Sequence, residues 1–294
     1  VSNIEWTEET WNPTTGCDRV SAGCDNCYAL TMAKRLKAMG SEKYQTDGDP
    51  RTSGPGFGVA MHDDALSIPL RWRKPRTVFV NSMSDLFHPK ISDGFIAKVF
   101  TVMAATPQHT YQVLTKRAPR MRSLLNNQAW VDTITGDHQA WPLPNVWLGV
   151  SAENQEQADR RVNELVKTPA AVRFVSAEPL LGSVDLSKWL GIEWSDMGMW
   201  LEEMFATLSG RGSLLDWVIV GGESGPGARP MDERWAADLV DQCQAADTAV
   251  FVKQMGSVWA AANAANRADN PKGGDPEAWS ETMRVRQMPV ARRG

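Results

Sequence analysis

The chain has 294 residues, 42% hydrophobic and 22% charged, with a formal net charge of −4. That length buries a sizeable core and suits one α/β barrel. No apolar run approaches the roughly 18–20 residues that span a bilayer, and the mild negative charge excludes a uniformly basic nucleic-acid coat while allowing a local basic face.

The N-terminal segment Val1–Trp6 is polar and lacks a signal peptide's basic and apolar regions. The expectation is a cytoplasmic protein with reduced thiols and no membrane partner. A first strand near Thr10–Thr15 leads into a loop carrying Cys17, Cys24 and Cys27. Gly40–Gly58 is polar and rich in Gly, and reads as a loop. Then short β-branched runs recur, each ending in residues that carry chemistry. Thr77–Val80 precedes Asn81-Ser-Met-Ser-Asp85, and Tyr111–Leu114 precedes Thr115-Lys116. Val146–Val150 precedes Ser151-Ala-Glu153, and Val172–Val175 precedes Ser176-Ala-Glu178. Trp217–Val220 precedes Gly221-Gly-Glu223, and Val250–Val252 precedes Lys253-Gln254. Such runs suit strands buried on both faces of a parallel sheet. Between them, Ser92–Ala105, Asn154–Lys167 and Asp232–Ala246 have helical periodicity, with Ser92 as a cap.

The alternation predicts an α/β fold, a full or partial (β/α) barrel of TIM type, with parallel strands and the cysteine loop after strand one. No G-x-G-x-x-G follows the first strand, which disfavours a dinucleotide-binding sheet. The barrel is expected over 1–256, with an insertion at about 190–215. The tail 257–294 is expected to be an appendage, partly mobile.

In a parallel barrel the C-terminal strand ends build the site. Asp85, Lys116, Glu153, Glu178, Glu223 and Lys253 fall there, beside the cysteine loop. Lys116, Glu178 and Glu223 are candidate catalytic groups, and Gly221-Gly222 permits close approach of a ligand. Only four cysteines exist, and three within one short loop form a metal or cluster site rather than a disulfide set. A cubane iron–sulfur cluster on three thiolates keeps one iron open for another ligand. Zinc is the alternative, with a fourth ligand from His62, His88 or Cys243. Cys243, within an apolar helical pattern, otherwise reads as a buried small hydrophobe. Arg71, Trp72, Arg73, Lys74 and Arg76 precede strand two, and Arg117 and Arg120 follow strand three. If these segments are neighbours, they suit phosphates and stacked bases.

A cysteine triad directly after strand one resembles the radical S-adenosylmethionine (SAM) enzymes, with C-x6-C-x2-C here where that superfamily has C-x3-C-x2-C. The wider pattern includes Trp11-Asn-Pro-Thr-Thr-Gly-Cys17, Cys24-Asp-Asn-Cys27-Tyr-Ala, Asn81-Ser-Met-Ser-Asp85-Leu-Phe, Val113-Leu-Thr-Lys116-Arg and Val220-Gly-Gly-Glu223-Ser. It resembles an uncharacterised phage and bacterial family with a three-cysteine motif. Ser82-Met-Ser-Asp85 is also similar to the strand-two motif of spore photoproduct lyase. The resemblance implies a [4Fe-4S] cluster on Cys17, Cys24 and Cys27, and SAM as cofactor. It implies reductive cleavage of SAM to a radical that abstracts hydrogen from the substrate. Asp85 and Ser82 would hold the SAM amino group, and Glu153 and Ser176 its ribose. A reductant such as flavodoxin or ferredoxin would supply the electron. The substrate expected is nucleic acid or a nucleotide-like molecule, in repair or base modification. Two alternatives stand beside it: a zinc-stabilised nucleic-acid-binding barrel without redox chemistry, and a radical enzyme acting on a peptide or small metabolite.

Overall fold

The computed structural model describes residues 4–136, 140–191, 213–263 and 270–290. Most of the insertion expected at 190–215 lies outside the described residues. The strands are β1 (Glu9–Trp11), β2 (Thr14–Thr15), β3 (Ala60–Met61), β4 (Thr77–Val80), β5 (Thr110–Thr115), β6 (Val146–Ser151), β7 (Val172–Ala177), β8 (Trp217–Gly221) and β9 (Ala249–Gln254). The described helices are α1 (Tyr28–Ala38), α2 (Asp63–Leu66), α3 (Asp93–Ala104), α4 (Ala118–Leu125), α5 (Gln128–Thr135), α6 (Gln155–Val166), α7 (Ser187–Leu190), α8 (Glu233–Ala245) and α9 (Ser257–Ala262). Strand order is β1-β4-β5-β6-β7-β8-β9. The long strands therefore follow chain order, as in a partial (β/α) barrel; a doubly wound sheet reverses order at a switch point.

The first expected strand needs correction. Thr10–Thr15 is not continuous: β1 ends at Trp11, and Thr14–Thr15 turns away to pair antiparallel with β3. Pro13 cannot donate to a ladder, and the Asn12 side chain is spent on Ser82 and the Met83 amide.

The chain divides into two compact units, one running to Val150 plus Lys167–Ala171, the other Ser151–Val166 plus the chain from Val172. In the first, β1, β4, β5 and β6 pair in parallel. Ser92 caps α3 by accepting from the Phe95 amide at 3.3 Å. That helix buries Phe95, Ile96, Val99, Phe100 and Met103, each contributing roughly 1.5–3 kcal/mol. Phe100 meets Trp130 edge-on at 5.5 Å.

In the second unit β7, β8 and β9 are parallel and buried. Asp232 caps α8 by accepting from the Arg234 amide at 2.9 Å. Residues 270–290, set apart by composition, pack on β9. Val252 donates to the Val285 carbonyl and Gln287 to that of Val250, both at 2.9 Å. Trp279 and Met283 are buried there, so the described part of the tail belongs to this unit's core.

Candidate metal centre and strand-end site

The cysteine loop is pinned before its first thiol. Gly16 has φ +83°, and a Cβ there would lie 2.1 Å from the Gly58 carbonyl oxygen. Its amide donates to the Met83 carbonyl at 2.9 Å. Thr14 and Ser84 hydroxyls meet at 2.7 Å. The segment after β1 is thus fastened both to the end of β4 and to the 41–58 loop. Cys24 closes a 3-10 turn, and Cys27 is the N-cap of α1. The Cys27 amide donates to the Cys24 carbonyl at 3.3 Å, so these two cysteines share one turn at a helix N-terminus, where the dipole favours a thiolate.

Cys17 has its own support. The neighbouring Asp18 carboxylate accepts from Thr52 at 2.6 Å, Ser53 at 3.1 Å and His88 Nε2 at 3.0 Å. Burial alone would raise the Asp18 pKa, but these hydrogen bonds outweigh it and hold it below the usual range. His88 is buried, and its Nδ1 accepts from the Lys90 amide at 3.1 Å. Burial, then Arg117, lower its pKa against the pull of Asp18. The imidazole is therefore neutral, with its proton on Nε2. Burial pushes the Cys17 thiol up to about 12, Asp85 adding to it and Arg117 opposing. Burial also raises Cys27, with Lys116 opposing. Two cations, Arg117 and Lys116, therefore stand near two thiols.

Among the described residues no three His, Cys, Asp or Glu side chains converge tightly enough for a single ion. A structural zinc gathers four donors at about 2.0–2.3 Å from one point, whereas a cubane spreads its thiolates over separate irons. The fourth ligands considered for zinc are engaged elsewhere. His88 uses both ring nitrogens, as above. His62 Nε2 bonds the Thr15 hydroxyl at 2.8 Å. Cys243 is fully buried on α8 in the second unit. The described residues thus place three thiols on one loop, while the three side chains considered as a fourth zinc ligand are engaged or lie elsewhere.

Asp85 does not present an open carboxylate. It is buried and accepts from Thr115 Oγ1 at 2.7 and 2.9 Å and from the Phe87 and Lys116 amides, each at 3.0 Å. Three donors, one hydroxyl and two amides, thus take up most of its acceptor sites in joining the ends of β4 and β5, which leaves little of it for the expected ammonium. Ser82 exchanges hydrogen bonds with Asn12 at 3.1 and 3.3 Å, and its carbonyl accepts from the Tyr28 hydroxyl. The residue that sequence reasoning passed over is Asn81. It follows β4 at φ 68°, is 4% exposed, and both its carboxamide atoms lack a hydrogen-bond partner in the protein. Its signal was its type: Asn tolerates the left-handed region where most residues do not.

In the second unit two expected carboxylates are closed off. Glu153 is completely buried against Arg161 at 2.8 Å. Glu223 is clamped by Arg229, which donates through its amide, Nε and Nη2 at 2.8, 2.9 and 2.6 Å. Glu178 is more accessible. It pairs with Lys253 at 3.1 Å and accepts from Ser176 at 3.3 Å. A Cβ on Gly221 would stand 2.4 Å from its Oε1, so this glycine makes room for the carboxylate.

The two basic segments are not neighbours. β4 and β5 run parallel with Thr77 opposite Thr110. Arg71–Arg76 precedes one strand and Lys116–Arg120 follows the other, so they lie about 20 Å apart at ~3.3 Å per residue. Arg76 pairs with Glu9 and lies 5.4 Å from the Trp72 ring centre. Trp72 is half-buried, edge-on to His109 at 5.6 Å. Arg71 donates to Ser67 at 2.9 Å, while Arg73 and Lys74 are exposed. Arg120 is spent on the carbonyls of Phe87, His88 and Ile91 and on Asp93. Arg117 turns to the cysteine loop, donating to the Asp18 carbonyl at 3.1 Å with Cys17 Sγ at 4.0 Å.

No helix among the described residues is long and apolar enough to cross a membrane. No curated protein and no solved structure matches the chain. One family model matches residues 1–283, and the chain belongs to that family, described as "Protein of unknown function (DUF5131)".

Proposed function

We propose that this chain is a cytoplasmic radical SAM enzyme in which Cys17, Cys24 and Cys27 hold a [4Fe-4S] cluster, acting on nucleic acid or a nucleotide-like substrate in repair or base modification. The observation that carries the reading is the donor set. Three thiols on one loop follow a parallel strand, near two cations, and the side chains considered as a fourth zinc ligand are engaged or lie elsewhere. When bound, the cluster supplies the electron for reductive cleavage of SAM.

The chain's own residues have the following parts in this reading. Lys116 and Arg117 balance thiolate charge. Asn81, rather than Asp85, offers an uncommitted donor and acceptor to the amino-acid end of SAM. Ser82 holds its Asn12 neighbour in place. Glu178, Ser176 and Lys253 remain the second unit's candidates for moving a proton, since Glu153 and Glu223 are ion-paired. Of the nucleic-acid candidates, Arg71, Trp72, Arg73 and Lys74 precede β4, away from the strand ends that carry the cysteine loop, and are left as a distal patch for a nucleic-acid strand rather than as contacts to the reacting nucleotide. A flavodoxin- or ferredoxin-type reductant belongs to the same reading.

Anaerobic purification tests it. The expected product is brown protein with broad absorbance near about 400 nm and about four iron and four sulfide per chain. Cys17→Ala, Cys24→Ala and Cys27→Ala should each lose the iron, and Cys243→Ala should keep it. Colourless protein with stoichiometric zinc sinks the proposal.

A further inference from the structure

The geometry points to Arg117 as the residue that sets the reduction potential of the cluster through Cys17, a role that rests on the cluster reading above. The case begins with how β5 ends. The Thr115 hydroxyl donates to the Asp85 carboxylate, and the Arg117 amide donates back to Thr115 Oγ1 at 2.8 Å. With the Lys116 amide also on Asp85 at 3.0 Å, the backbone leaving the strand is held at consecutive residues. That hold lets the Arg117 side chain reach the cysteine loop. Its Nη2 spans Asp18 O at 3.1 Å and Cys17 Sγ at 4.0 Å. Asp18 is itself anchored by Thr52, Ser53 and His88. The guanidinium and the sulfur it faces are therefore both fixed from independent elements.

A guanidinium stays charged at any working pH. A positive donor beside a cluster sulfur stabilises the state with one more electron, and hydrogen bonds to the sulfurs are among the terms that set such potentials. Arg117 acts through Cys17 and is a positioning residue: it touches a ligand of the cluster. The other cation of the set, Lys116, interacts electrostatically with Cys27, so the cysteines at the two ends of the motif have separate cations.

The test uses the full chain, reconstituted anaerobically with iron and sulfide. One electron per cluster is added from dithionite with redox mediators, and the potential is read by EPR. The wild-type chain is measured first, and failure to hold a cluster there sinks the function proposal and this inference with it, whereas a wild-type cluster with unshifted variants sinks this inference alone. In Arg117→Gln and Arg117→Met the iron content should stay near wild type. The reduced-to-oxidised ratio at fixed potential should fall about tenfold or more, a shift of about 59 mV to more negative values for a one-electron couple. Arg117→Lys, which keeps the charge, should shift less. Wild-type potential in both neutral variants overturns the inference. Loss of iron from both, with unchanged circular dichroism, also overturns it, because Arg117 would then hold the loop rather than tune the charge.

Discussion

Replacing Arg161 with Met isolates the ion pair that closes off Glu153. The Glu153 side chain is 0% exposed and that of Arg161 4%, with 2.8 Å between them, and Arg161 also donates to the Ser151 carbonyl at 2.8 Å. Methionine fills much of the arginine stem but removes the charge and both donations. The carboxylate is then left in the core without its main partner. Breaking a buried pair in this way costs about 3–5 kcal/mol, which for a chain of this size lowers Tm by roughly 5–8 °C. Arg161→Met with Glu153→Leu removes both charges, and should recover much of the loss because no uncompensated charge remains. The assay is thermal unfolding of wild type, both single variants and the double variant, read as a double-mutant cycle. A single-variant shift under about 2 °C, or singles that simply add, refutes the reasoning and reopens Glu153 as a ligand-facing carboxylate.

Cys243, fully buried with its pKa pushed up to about 12 by burial, should resist thiol reagents in the native metal-free chain. Dithionitrobenzoate should titrate at most the other three thiols until denaturant is added. Because the folded pKa lies above the ordinary 9.0, the thiol's contribution to stability is full below pH 9. It is lost as pH rises from there toward about 12, by up to ~1.4 kcal/mol per pH unit. Denaturant midpoints from pH 8 to 10.5 should fall more steeply in wild type than in Cys243→Ala. Neutralising Arg71, Arg73 and Lys74 together should weaken nucleic-acid binding and flatten its salt dependence by about two to three charges. Arg120→Gln should leave that slope unchanged, and an equal effect from Arg120 would show that the strand register misplaces the groove.

Much of the scaffold was legible because local signals agreed with tertiary burial. The run Thr77–Val80 is a strand to the residue, and the helices expected at Ser92–Ala105 and Asp232–Ala246 begin one residue after their capping Ser92 and Asp232. The break after Trp11 was less visible, since Thr14 and Thr15 are good strand formers whose partner, Ala60–Met61, lies far along the chain. Charge partners were harder still. Nothing local marks Arg161 as the mate of Glu153, or Arg229 as that of Glu223, because these choices depend on how a helix or turn folds back over its strand. The separation of the basic segments was readable in advance: a segment before one parallel strand and a segment after its neighbour must lie at opposite ends.

The three thiols are mounted on two different supports. Cys17 follows Gly16, which is wedged against Gly58, and Asp18 beside it is moored to Thr52 and Ser53. Cys24 and Cys27 ride together on the turn that starts α1. The longer first spacer is thus a bridge between a fixed post and a paired mount. Yet both supports rest on one bed: Tyr44 and Phe57 of the 41–58 loop share a buried cluster with Ala29 and Ala33 of α1, and Cys17 and Cys27 both pack against it, so damage to that loop should loosen the post and the mount together.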